Sequence, residues 1–106
     1  MSTDPVVIVA ARRTPIGAFQ GAFSDVSATE LGATAIAAAV ADSGVDPADF
    51  SRALMGCVLP AGLGQAPARL AALGGGLPKG VPCVTVNKMC GSGRESLVRA
   101  HDMGGA

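Results

Sequence analysis

"VPCVTVNKMCGSG", residues 81–93, contains the change of period that decides the fold. Its first half is a short apolar run rich in β-branched residues, with Val81, Cys83 and Thr85 on one side and Val84 and Val86 beside them. That pattern reads as a buried strand. Cys90 stands where the strand stops, and Gly91 and Gly93 flank Ser92 just after it. The following residues, to about His101, read as a helix beginning near Cys90, with Gly104 and Gly105 expected to fray its end.

The same alternation runs upstream. Residues 6–9, "VVIV", form another short β-branched apolar run and read as a first buried strand. "TPIGAFQGAFSDV" after it reads as an irregular loop. Ser27 and Glu30 make a capping-box pair, and Leu31, Ala35, Ile36, Ala39 and Val40 recur at helical spacing up to Ser43. Gly44 supplies a left-handed end, and Asp46-Pro47 restarts a short helical turn. Residues 53–59, "ALMGCVL", read as a second strand stopped by Pro60, and residues 67–73 as a short helix. The order is β-α-β-α-β-α, an α/β chain that favours a largely parallel sheet with helices packed on it.

At 106 residues the chain has room for one small domain. Hydrophobic residues are 49% of it, with three Phe and no Trp or Tyr, so the core is expected to be small and aliphatic. Eight basic and eight acidic residues cancel, which leaves no electrostatic footprint for nucleic acid or an anionic membrane. The opening residues lack a basic region ahead of their apolar run, and no stretch approaches the roughly 20 apolar residues of a membrane span. A cytoplasmic location is the expectation. Three cysteines, Cys57, Cys83 and Cys90, without metal-type spacing argue against a disulfide framework and a zinc site.

Position favours Cys90 as the reactive one of the three. Free amides in a helix's first turn favour a thiolate. Gly91 and Gly93 let a substrate carbonyl approach the backbone, and the Cys90 amide could itself donate to an oxyanion. The opposing reading is a small buried hydrophobe, which is the expectation for the mid-strand Cys57 and Cys83. Position alone leaves both readings open at Cys90. A thiol redox role is the weakest, because no Cys-x-x-Cys pair exists.

Three segments in order and spacing resemble the amino-terminal part of a thiolase: "VVIVAARRTPIGAFQGAFSDVSATELG", "GQAPARLAALGGGLPKG" and "VPCVTVNKMCGSG". The likeness runs from about Val6 to Asp102. It implies a thiolase-like layered fold, and it implies that Cys90 takes an acyl group from acyl-CoA as a thioester while its amide serves the oxyanion hole. Acyl-CoA and CoA would be the substrates, with no bound cofactor or metal. The chemistry would be thiolysis of a 3-ketoacyl-CoA, or in reverse the Claisen condensation of two acetyl-CoA molecules. The family forms dimers and tetramers, which implies a homo-oligomer for a completed chain.

The family's base histidine, in Gly-His-Pro, and its second cysteine, in Cys-x-Gly, belong to a carboxy-terminal domain, and neither motif occurs here. Residues 1–106 are therefore expected to be a partial amino-terminal domain, inactive without the carboxy-terminal half. The alternative is a non-catalytic fragment with a binding or dimerising role. Arg94 stands where the family usually has an apolar residue, and Leu70 where it often has glutamine. Asn87 either orients the elbow or caps the helix, with capping preferred. Lys88 is expected to be solvated, Arg69 to be structural or interfacial, and His101 to lie about 16 Å along the helix from Cys90, too far to be its base.

Overall fold

The structure, a computed structural model, describes residues 5–104. Helix α1 spans Ala28–Ser43, a 3-10 turn Pro47–Asp49, strand β1 Ala53–Gly56, helix α2 Pro67–Gly74, strand β2 Cys83–Val86 and helix α3 Ser92–Gly104. The two strands pair in parallel, with Ala53 opposite Cys83 and Gly56 opposite Val86. A parallel pair cannot be closed by a tight turn, and α2 provides the crossover.

Local signals set the first helix. The Ser27 hydroxyl accepts from the Glu30 amide at 3.2 Å, and Gly44 ends the helix at φ 71°. Glu30 reaches back as the capping box requires, but to the Ser27 hydroxyl (3.1 Å) and not to its amide. The Asp46 carboxylate caps the 3-10 turn through the Ala48 amide, as expected.

The helices close on each other through small residues. A Cβ at Gly75 would lie 2.6 Å from Ile36 Cγ2, so only glycine lets α1 reach the end of α2. The start of α2 has no side-chain cap of its own. The Thr85 hydroxyl of β2 serves instead, accepting from the Ala68 amide at 3.1 Å. Behind these ties lies a core of Ala68, Ala71, Ala72, Leu77, Val81 and Val86, small and aliphatic as the composition implies. Ile36, Val40, Phe50 and Cys83 pack against it.

The first expected strand is not formed. Residues 6–9 carry no strand pairing, and Ile8 is 75% exposed. Among the described residues the sheet consists of β1 and β2 alone, so no hydrogen-bonded neighbour fixes this run as a strand. It lines an open apolar groove with Phe50, Leu97 and Val98. The order observed is therefore α-β-α-β-α. β1 is also shorter than the run 53–59, because its ladder ends where β2 ends, at the bond from the Cys57 amide to the Val86 carbonyl (2.9 Å). α3 begins at Ser92 instead of Cys90, and it includes Gly104; Gly105 lies outside the described residues. No helix of the described residues is long and apolar enough to cross a membrane.

Candidate functional site

Beyond the carboxyl end of β2 the chain makes a tight reversal before α3. The Asn87 carboxamide oxygen accepts from the Met89 amide at 3.0 Å, and its nitrogen donates to the Val58 carbonyl at 3.4 Å. Asn87 thus ties the elbow to the exit of β1 and does not cap the helix, which reverses the preferred sequence reading. The Lys88 amide donates to the Ser92 hydroxyl at 2.8 Å, and that hydroxyl donates to the Met89 carbonyl at 2.6 Å. The Gly91 amide closes the turn onto the Lys88 carbonyl at 3.0 Å. Between these bonds Met89 adopts φ 48°, a left-handed conformation unfavourable for a long side chain.

The end of β1 presses against this turn. A Cβ on Gly56 would lie 2.6 Å from both the Gly93 nitrogen and the Ser92 carbonyl carbon. Glycine at this position lets strand and helix start meet, and no sequence pattern marked it beforehand. Ser92, 4% exposed, is likewise a residue that the sequence reading passed over except as part of a motif.

Cys90 is exposed at the crest of the elbow, two residues ahead of α3. The first helical hydrogen bond runs from the Glu95 amide to the Gly91 carbonyl (2.8 Å), so Gly91 is the residue at the helix entrance. Neither Cys57 nor Cys83 is mid-strand as expected: Cys57 follows the last residue of β1 and Cys83 opens β2. Both are half-buried, and the Cys83 thiol donates to the Val81 carbonyl at 3.3 Å.

The other candidates disperse. Lys88 pairs with Glu95 at 3.3 Å, and Glu95 also receives Arg99 at 3.0 Å. The hydrogen bond from Arg99, and next that from Lys88, hold the Glu95 carboxyl below its ordinary range. Arg69 is exposed and donates to the Lys79 carbonyl at 3.3 Å. His101 lies in the last turn of α3 beside Asp102, at 3.3 Å. From Ser92 to His101 the helix rises about 14 Å, so the geometry separates this imidazole from Cys90. Arg94 is exposed.

Fold and elbow together define an α/β protein that presents a cysteine on a strand–turn–helix reversal, beyond the carboxyl ends of parallel strands. The family described as "Thiolase, N-terminal domain" matches residues 6–103, and the chain belongs to the thiolase family. Similar relatives carry the name "Probable acetyl-CoA acyltransferase". Those of Staphylococcus aureus strains MRSA252 and NCTC 8325 / PS 47 are each 53% identical over 96 residues, which cover 91% of this chain. The chain spans about a quarter of these relatives, 24% of their length.

Proposed function

We propose that these residues form the nucleophile-bearing part of a thiolase-family acyltransferase, with Cys90 as the acyl acceptor. The observation that supports it most is an exposed Cys90 on a hydrogen-bonded, left-handed elbow, in a chain that matches the thiolase amino-terminal domain. The Cys90 sulfur attacks the carbonyl carbon of an acyl-CoA and a tetrahedral oxyanion forms, towards which the Cys90 amide donates. The carbon–sulfur bond to CoA then breaks, CoA leaves as the thiol with the proton from Cys90, and the acyl group stays as a thioester. The α-carbon of a second thioester, after giving its proton to a base that the carboxy-terminal half supplies, attacks the carbonyl of the Cys90 thioester. The carbon–sulfur bond to Cys90 breaks, the thiol recovers a proton and a 3-ketoacyl-CoA leaves. Thiolysis by CoA runs the sequence backwards. Acyl-CoA and CoA are thus the proposed substrates, a homo-oligomer the proposed assembly and the cytoplasm the proposed location.

His101 is the single histidine of the 106 residues, and α3 carries it away from the elbow. Turnover is therefore assigned to these residues together with a carboxy-terminal half, and residues 1–106 alone are expected to be inactive. A second reading, a non-catalytic binding or dimerising piece, draws on the exposed apolar side chains of Ile16, Phe19 and Leu59. Incubation with radiolabelled acetyl-CoA separates the two. Label should bind covalently when these residues are joined to a carboxy-terminal half, and be lost in Cys90→Ser. Labelling of that variant at the unsubstituted level would remove Cys90 from the role.

A further inference from the structure

We propose that Ser92 is a positioning residue for Cys90: its hydroxyl fastens the backbone on both sides of Met89 and so holds the turn that presents the cysteine. The inference rests on the reading of Cys90 as the acyl acceptor. A methionine at φ 48° does not stay there on its own preference; surrounding bonds must impose it. Asn87 is exposed and supplies one such bond, to the Met89 amide at 3.0 Å. Ser92 is buried and makes two shorter ones, accepting from the Lys88 amide at 2.8 Å and donating to the Met89 carbonyl at 2.6 Å. Those groups are the amide before residue 89 and the carbonyl after its φ and ψ, so a single hydroxyl spans the strained residue.

Ser96 shows what an ordinary helical serine does. One turn along α3 and also buried, its hydroxyl donates to the Ser92 carbonyl at 3.0 Å, the usual bond back along a helix. The hydroxyl of Ser92 instead leaves the helix and engages the turn ahead of it. Gly56 seats the other side, because its missing Cβ lets β1 back directly onto Ser92 and Gly93. The serine hydroxyl therefore has a fixed direction, towards residues 88 and 89.

Two readouts test this on these residues joined to a carboxy-terminal half. The first is the rate at which Cys90 takes acetyl from acetyl-CoA. Ser92→Ala should slow it between about tenfold and a hundredfold, the scale of a displaced reacting group. Ser96→Ala, which removes an equally buried hydroxyl, should leave it within about twofold. Met89→Gly added to Ser92→Ala should restore at least part of the rate, because glycine adopts the left-handed turn without being held there. A purely structural role for Ser92 would show no such rescue. An unchanged rate in Ser92→Ala, or a loss that Met89→Gly does not relieve, would overturn the proposal. The second readout needs no variant: the Lys88 amide of the unsubstituted chain should exchange with solvent more slowly than an unprotected amide. If it does not, the clamp does not exist. Should the unsubstituted protein, carboxy-terminal half included, take no acetyl at all, the acyl-acceptor reading fails, and the exchange of Lys88 still decides the clamp.

Discussion

The elbow and the amino-terminal stretch are both apolar runs followed by turn residues, yet the chain treats them oppositely. Residues 83–96 are a strand, a reversal and a helix start in which Asn87 and Ser92 bond to backbone within a few residues. Residues 5–26 carry no strand or helix, and their order comes from turns such as the Gly21 amide on the Ala18 carbonyl (2.9 Å) and from the Arg12–Asp42 pair at 2.6 Å. Phe19 stands 93% exposed. An elbow can be closed by its own neighbours. A strand needs another strand, and only β1 and β2 supply one to each other among the described residues.

The sharpest way to break the elbow from outside is Gly56→Val. Its Cβ would meet backbone at 2.6 Å, and backbone has no rotamer to move aside. A loss of about 3 kcal/mol or more is expected, read as a fall in denaturant midpoint with the slope retained. Leu77→Ala, in the cluster beneath the crossover, should cost about 2–4 kcal/mol by the same measurement. On the open arm, Ile8→Thr should change stability by less than about 0.5 kcal/mol, because its side chain is already in solvent. An effect as large as that of Leu77→Ala would show that the arm is packed in solution and would erase the contrast.

The smallest effect is electrostatic. Hydrogen bonds from Arg99 and Lys88 lower the Glu95 carboxyl below its ordinary value, so its contribution is present above the ordinary carboxylate range and fades as pH falls through the lowered one. Comparison of melting temperature against pH should show a slightly shallower acid decline in Glu95→Gln. Exposed partners and salt screening keep the difference small.

What was legible in the sequence follows the same division. The α1 cap at Ser27, the left-handed Gly44 and the Asp46-Pro47 turn are chemistry between residues a few positions apart, and each stands where the pattern put it. So does the strand–turn–helix order around Cys90. The strand at residues 6–9 was misread because composition records a preference for strand and says nothing of a partner. Asn87 and the helix entrance were misread because Met89 takes a left-handed conformation that no residue preference at position 89 announces. Gly56 was invisible for a related reason: its role lies in an approach between β1 and α3 across 36 residues of chain, from position 56 to position 92. Family membership came from three motifs in order, and the matched residues 6–103 agree with the span from Val6 to Asp102.

The most direct measurement is a peptide map, after brief exposure to labelled acetyl-CoA, of these residues joined to a carboxy-terminal half, with the label assigned among Cys57, Cys83 and Cys90. The account predicts acetyl on the peptide carrying Cys90 and none on those carrying Cys57 and Cys83, which are half-buried where Cys90 is exposed. Acetyl on Cys57 or Cys83 in place of Cys90 would contradict it.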